Sequence, residues 1–132
     1  GPGYDRPGAI RMRLEPLRFV ELPGGRAVPP GSFSGQRAHA VAAIGNPARF
    51  FDTLRALGVD PVEHPFRDHH AFAPGELDFG DGLPVLMTEK DAVKCAALAV
   101  PGAWYLEVGA RLDPPGADRL LAAIDAALRA SR

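Results

Sequence analysis

The sequence lacks several features that identify common classes of protein. It has one cysteine, Cys95, so it can form neither an internal disulfide nor a cysteine-rich zinc cluster, and a reducing compartment, the cytoplasm, is the expected location. It contains neither Gly-x-x-x-x-Gly-Lys-Ser/Thr nor Gly-x-Gly-x-x-Gly, and therefore offers no recognised loop for nucleotide phosphates. We do not expect this chain by itself to turn over ATP.

Strong charge and long apolar runs are also absent. Fifteen Lys and Arg residues against sixteen Asp and Glu residues leave a net charge of −1, which gives no electrostatic reason to expect nucleic acid as a partner. No apolar run approaches the roughly 20 residues that span a bilayer, so we predict no transmembrane segment. The 132 residues, of which 46% are hydrophobic, are enough for the core of one domain.

The first 30 residues are interpreted as two pieces. Residues 1–10 begin Gly-Pro-Gly and are expected to be the remnant of a cleaved tag and a flexible lead-in. Residues 11–30 contain two short strand-like stretches, at 12–14 and 17–22, followed by Gly24-Gly25 and a third strand-like stretch at 26–28. Two glycines between strand patterns are typical of a turn, so this segment predicts a β-hairpin.

From residue 38 onward, strand and helix patterns alternate three times. The strand-like segments are 38–44, 59–66, 83–87 and 104–108; the helical segments begin at Asn46, at Thr88 and after Asp113, the last with Leu120, Leu121, Ile124 and Leu128 on one face. Such alternation favours parallel strands with right-handed crossovers. We therefore predict an α/β fold: a small, mainly parallel sheet with flanking helices, an αβα sandwich, preceded by the hairpin.

The first segment that could carry chemistry is 44–51, where a strand ends in Gly45 and a helix begins. The free N–H groups of a helix amino terminus, the helix dipole and Arg49 could together hold an anion. Alternatively, Gly45 only permits the turn, Asn46 caps the helix and Arg49 is a solvated residue of its first turn. The pattern of residues favours this second reading.

The second candidate segment, residues 66–72, contains Asp68, His69 and His70 between aromatic residues. A carboxylate beside two imidazoles suits proton transfer, because carboxylates orient imidazole tautomers. A metal site that includes His64 is a second reading, although adjacent histidines are awkward ligands for one ion. A surface loop whose histidines hydrogen-bond locally is the third.

The third candidate segment is 85–95. Thr88 and Asp91 have the spacing of a capping box, which accounts for both without any function. Cys95 is interpreted as a small packed residue rather than a nucleophile.

The same segment leaves three charged residues without an explanation, Glu89, Lys90 and Lys94. Lys90 and Lys94 are four residues apart, so on a helix they would share one face and could bind a phosphate. A charged helical face is more often simply solvated, and that reading stays open.

The three segments resemble a known enzyme family. The matching stretches are 42–51, Ala-Ala-Ile-Gly-Asn-Pro-Ala-Arg-Phe-Phe; 65–70, Pro-Phe-Arg-Asp-His-His; and 86–95, Leu-Met-Thr-Glu-Lys-Asp-Ala-Val-Lys-Cys. With Trp104-Tyr105-Leu106 after them, they are similar to the carboxy-terminal half of tetraacyldisaccharide 4'-kinase over roughly residues 11–128. The family usually has Ala-Gly-Ile-Gly at 42–45 and a proline in place of Arg67, and neither departure removes a group capable of chemistry.

The resemblance implies a function that needs a second lobe. The family transfers the γ-phosphate of ATP to the 4'-hydroxyl of the tetraacyl disaccharide 1-phosphate precursor of lipid A. Its amino-terminal lobe carries the P-loop, the Mg²⁺-binding acids and a catalytic aspartate. By resemblance, residues 11–30 are the linking hairpin and residues 31–132 the carboxy-terminal lobe. ATP and Mg²⁺ are expected on the absent amino-terminal lobe, no metal on this chain, and the fragment is expected to be inactive alone.

The resemblance also implies roles for single residues. His69 corresponds to the family histidine thought to pair with the catalytic aspartate, and Asp68 lies beside it, so both are candidate catalytic residues. The expected cleft-lining residues are His70, Asn46, Arg49, Glu89, Lys90 and Lys94. The expected partners are the amino-terminal P-loop lobe and the lipid A precursor, and the parent enzyme is expected to be peripheral on the cytoplasmic face of the inner membrane.

Two alternatives remain from the residues themselves. The first is a stand-alone α/β binding or interaction domain in which the motifs serve only to hold the fold. The second is a metal-dependent hydrolase built on His64, Asp68, His69 and His70, which requires those four side chains to lie together around one ion.

Overall fold

A computed structural model describes the backbone of residues 11–113 and the side chains of residues 14–110. In chain order the elements are β1 (Arg11–Glu21), β2 (Ala27–Val28), β3 (Arg37–Ala42), α1 (Pro47–Ala56), β4 (Asp60–Pro65), β5 (Val85–Thr88), α2 (Glu89–Lys94) and β6 (Ala103–Asp113). The strands form one sheet in the order β2-β1-β6-β5-β3-β4. β3 is parallel to both β4 and β5, and β5 is parallel to β6, whereas β1 and β2 are antiparallel.

The chain divides into two compact units. The larger is Pro16–Glu107, and the smaller combines Gly1–Glu15 with Val108–Arg132. Of the smaller unit, the structure describes 11–15 and 108–113, both in strands. The predicted closing helix with Leu120, Leu121, Ile124 and Leu128 lies outside the described residues. Among the helices of the described part, none is long and apolar enough to cross a membrane.

The structure confirms the α/β fold and the hairpin, and it changes some boundaries. β1 runs without interruption through Pro16, where the sequence predicted two short strands. β2 pairs only with Phe19 and Val20, so the missing N–H of Pro16 removes no hydrogen bond on that side. β3 ends at Ala42, two residues earlier than predicted.

Helix α1 packs on one face of the sheet. Asn46 is its N-cap, and its side chain accepts a hydrogen bond from the Arg49 N–H at 3.4 Å, as the sequence predicted. The helix buries Phe50, Phe51 and Leu54. These aromatic and aliphatic side chains join a core cluster with the small residues Ala38, Ala40 and Ala42 of β3. Small side chains on the strand leave room for large ones on the helix, which lets the two elements pack closely.

Helix α2 and the loop between β4 and β5 contribute to a second core cluster. Its strand members include Val41, Val85 and Met87, each buried, which alternate along their strands with residues of the α1 cluster. Cys95 packs in this second cluster and is 2% exposed. Cys95 is therefore a packed residue, as predicted. Its burial raises the pKa of the thiol to about 11, which disfavours the thiolate.

The same loop closes over a polar cluster that sequence reasoning missed. His39 is 6% exposed, and its Nδ1 lies 2.9 Å from Nε2 of His64 while its Nε2 lies 2.6 Å from Asp81 Oδ2. The ring of Phe79 stacks on both imidazoles, with centroids 3.9 Å from His39 and 4.4 Å from His64. Burial lowers the pKa of His64, helped by the neighbouring His39 and opposed by Asp81.

Two glycines with left-handed backbones provide a matched test of the packing around the end of α1. Gly58 has φ +86°, and a Cβ there would lie 2.3 Å from Ser34 Oγ and 3.1 Å from Ser34 Cβ; Gly35 has φ +80° and open space around it. Gly35→Ala should cost about 1 kcal/mol of unfolding free energy, from backbone strain alone. Gly58→Ala should cost clearly more, measured by urea denaturation. Equal costs would mean that the contact with Ser34 is unimportant.

The lowered pKa of His64 predicts acid sensitivity. As the pH falls below about 6.5, the unfolded chain binds a proton at His64 before the folded chain does. The free energy of unfolding therefore decreases as the pH falls from that value through the lower pKa of the folded chain. His64→Gln should therefore flatten the dependence of Tm on pH between about pH 7.5 and 5. The control is His69→Ala, because that side chain is 91% exposed. A slope unchanged by His64→Gln would contradict the assignment.

Candidate functional site at the carboxyl edge of the parallel strands

The three sequence segments meet at one edge of the sheet. β3, β4 and β5 are parallel and in register, with Ala42 opposite Pro65 and Val41 opposite Met87. The chain therefore leaves all three strands at the same edge, into 43–46, 66–72 and the start of α2. This is the edge at which open α/β sheets place their ligands.

Asp68 lies against the turn that precedes α1. A Cβ built on Gly45 would be 3.7 Å from Asp68 Oδ2, so the loop after β4 lies against the loop after β3. The turn leads directly into the N-cap Asn46, and a helix amino terminus favours negative charge. The sequence left open that this turn holds an anion while favouring a purely structural turn, and the structure places the carboxylate of Asp68 beside it.

His69 projects outward from this edge. Its φ is +64°, the left-handed region that only a few per cent of non-glycine residues adopt, and its side chain is 91% exposed. Its Nε2 lies 3.8 Å from Asp68 Oδ2, beyond hydrogen-bond distance. Left-handed residues of this kind cluster at functional sites, where the surrounding structure holds them in place.

The adjacent His70 has the opposite character, because it is anchored. Its Nε2 lies 2.9 Å from Glu76 Oε1, the same oxygen that accepts a hydrogen bond from the Ala73 N–H at 3.0 Å. The imidazole also stacks on Phe66 and meets the edge of Phe72. The hydrogen bond from His70 lowers the pKa of Glu76, with a further contribution from the Ala73 N–H. His70 thus fixes the loop, and His69 is the imidazole left available.

Asp91 joins helix α2 to the loop after β3. Its side chain is fully buried, and Oδ2 accepts hydrogen bonds from the Ala43 N–H at 3.0 Å and from the Thr88 hydroxyl at 2.7 Å. Thr88 caps α2 as predicted, since its hydroxyl oxygen accepts from the Asp91 N–H at 3.2 Å. The sequence interpretation gave Asp91 a capping role only. Its hydrogen bond with Ala43, 48 residues away in the loop after β3, is the contact that interpretation missed.

Lys94 is turned toward the loops. Its Nζ lies 3.4 Å from the Ala43 carbonyl oxygen, 3.3 Å from the His70 carbonyl oxygen and 3.5 Å from Asp91 Oδ1. Lys90, in the first turn of the same helix, is exposed. The sequence left open whether the two lysines face a phosphate together or lie on a solvated helical face, and the structure places the ammonium of Lys94 beside three oxygen atoms of the chain.

Three further charged candidates lie in the first turns of the two helices. Arg49 is exposed in α1, and Glu89 and Lys90 are exposed in α2. Together with the exposed His69 and Asp68 they give the edge both signs of charge and one imidazole. The arrangement can accept a proton and can attract a phosphate.

The metal-dependent hydrolase reading finds no support in this geometry. Among the residues that the structure describes, no group of three or more His, Cys, Asp or Glu side chains could hold a metal ion. His64, which that reading requires, faces His39 and Asp81 in the other polar cluster. It therefore does not join Asp68 and His69.

Known proteins match this chain over most of its length. A sequence model of the family "Tetraacyldisaccharide-1-P 4'-kinase" matches residues 5–128. A tetraacyldisaccharide 4'-kinase of Hahella chejuensis is 52% identical over 102 residues, which are 77% of this chain and 30% of the relative. One of Stenotrophomonas maltophilia is 56% identical over 96 residues, 73% of this chain and 28% of the relative.

A solved structure has the same fold. The "apo" form of LpxK from Aquifex aeolicus, in complex with ATP, aligns with a TM-score of 0.58 and 22% identity, over 80% of this chain and 32% of that chain. The chain thus spans about a third of the length of the relatives it matches. The match of the family sequence model over residues 5–128 shows that the chain belongs to the tetraacyldisaccharide-1-P 4'-kinase family.

Proposed function

We propose that this chain is the carboxy-terminal lobe of a kinase that transfers the γ-phosphate of ATP to the 4'-hydroxyl of the tetraacyl disaccharide 1-phosphate precursor of lipid A. The observation that supports this role is the placement of His69. Its imidazole is exposed, its backbone is in a left-handed conformation, and the next residue, His70, is anchored through both its imidazole and its carbonyl. A lobe that closes over a second lobe needs such a prearranged side chain.

In the proposed reaction, His69 bonds to the catalytic carboxylate of the amino-terminal lobe. The 4'-hydroxyl oxygen attacks the γ-phosphorus, its proton passes to that carboxylate, and the bond from the γ-phosphorus to the bridging oxygen breaks to release ADP. The imidazole orients the carboxylate for this transfer. ATP and Mg²⁺ are assigned to the amino-terminal lobe, as the family resemblance implies, and the fragment alone is inactive.

The remaining edge residues take supporting roles in this proposal. Asp68, near His69, helps to orient its imidazole on closure. Arg49 and Lys90 are exposed cations that can face the phosphates of the substrates, and Glu89 and Asn46 line the same cleft. Because the acceptor is a membrane lipid, the whole enzyme would act peripherally on the cytoplasmic face of the inner membrane.

The first test removes the imidazole from the full-length protein that carries this chain. His69→Ala should lower kcat for phosphorylation of the disaccharide acceptor about 10²- to 10⁴-fold, the usual contribution of a group in proton transfer. The matched control is His64→Gln, which removes an imidazole bonded to His39 instead, assayed at about pH 8, where its protonation plays no part. Unchanged activity of His69→Ala would rule out the proposed role.

The second test concerns nucleotide binding by the isolated chain. The 132-residue chain titrated with ATP and Mg²⁺ should show no saturable chemical-shift changes in ¹H–¹⁵N NMR spectra, because it has no phosphate-binding loop. Saturable shifts would reveal a nucleotide site on this lobe and would contradict the assignment of ATP to the other one.

A further inference from the structure

The ammonium of Lys94 lies where the loops after β3 and β4 meet helix α2. Its three acceptors come from three segments: the Ala43 carbonyl after β3, the His70 carbonyl after β4, and the Asp91 carboxylate in α2. A lysine ammonium has three N–H donors. Two of them are donated to the carbonyl oxygens of Ala43 and His70, at 3.4 and 3.3 Å, and the ammonium also forms an ion pair with Asp91 Oδ1 at 3.5 Å.

The positive charge of Lys94 also has a partner within the chain. Asp91 is fully buried, and a buried carboxylate without a partner is strongly destabilising. Its Oδ2 has two hydrogen bonds, whereas Oδ1 makes none within the described residues and has the Lys94 ammonium 3.5 Å away. The pair is partly shielded from water, since the Lys94 side chain is 28% exposed. Lys94 is therefore the counter-charge of Asp91.

Lys94 of this pair holds the backbone carbonyl of the residue that follows His69. The His70 carbonyl is held by Lys94 and the His70 imidazole by Glu76, so both the backbone and the side chain of residue 70 are fixed. Fixing residue 70 restricts the backbone of its neighbour His69, whose left-handed conformation is unfavourable for a residue with a Cβ and persists only if the surroundings impose it. The direction of the His69 side chain follows from that constraint.

We propose that Asp91 and Lys94 are positioning residues for His69, and that Lys94 does not contact substrate. The inference rests on the proposed function, because His69 must matter to the reaction for its position to matter. Asp91 fixes the loop after β3 through the Ala43 N–H and holds Lys94, and Lys94 holds the loop after β4 through the His70 carbonyl. Misplacing a catalytic group by about 1 Å costs roughly 10²-fold in rate.

The test is a double-mutant cycle in the full-length protein. Lys94→Met should lower kcat about 10- to 100-fold and leave KM for both ATP and the acceptor within about twofold, because it displaces His69 without removing a substrate contact. In a His69→Ala background, Lys94→Met should have almost no further effect, since there is no imidazole left to misplace. Raised KM values, or effects of the two changes that multiply, would overturn the proposal.

Two further variants separate positioning from folding. The pair Asp91→Asn with Lys94→Met leaves no buried charge but still lacks the tie to His70, so it should fold and lower kcat as Lys94→Met does. Arg37→Met removes a cation at the opposite end of β3 and should leave kcat unchanged. A folded pair variant with full kcat would overturn the proposal.

Hydrogen exchange provides a readout that does not depend on activity. In Lys94→Met, the amides of 66–72 should exchange faster while those of α1 exchange as in the wild type. Unchanged exchange in that loop would overturn the inference. If His69→Ala itself retains full activity, the proposed function of His69 fails instead, and faster exchange would still support the structural tie.

Discussion

The buried carboxylate of Asp91 is the constraint on which the arrangement of the candidate site depends. One of its oxygens accepts hydrogen bonds from the backbone just after β3 and from the cap of α2, and the other faces the ammonium of Lys94. Removing a carboxylate from water is costly unless its hydrogen bonds and charge are satisfied, so the loops that supply these partners are held to one geometry. One of these loops carries the exposed imidazole of His69, so its position depends on the same contacts.

Much of the fold could be predicted from the sequence because its signals are local. Asn46 caps α1 by accepting a hydrogen bond from an N–H of the first turn, and Pro47 has no N–H that would need a partner. Thr88 caps α2 in the same way as Asn46 caps α1. The apolar run at 38–44 indicates a strand covered on both faces, as β3 is. Given parallel strands, the meeting of the three segments at one edge followed from the topology.

The parts that could not be predicted depend on contacts between distant residues. Asp91 and Ala43 are 48 positions apart, and Lys94 reaches the carbonyl of Ala43 across 51. From sequence, Lys94 could only be assigned to one helical face with Lys90, either facing a phosphate or solvated, because helical spacing shows only which residues share a face. His39, His64 and Asp81 likewise belong to three separate segments, and one clue lay in the sequence: a histidine inside an otherwise apolar strand requires a buried partner.

The central claim is that this lobe supplies one imidazole to a cleft completed by another lobe. The most direct test is a crystal structure of the full-length protein closed on a nucleotide and the disaccharide acceptor. The account predicts that a ring nitrogen of His69 lies at hydrogen-bond distance, about 2.6–3.2 Å, from a carboxylate of the amino-terminal lobe. A closed complex in which His69 still faces solvent would contradict it.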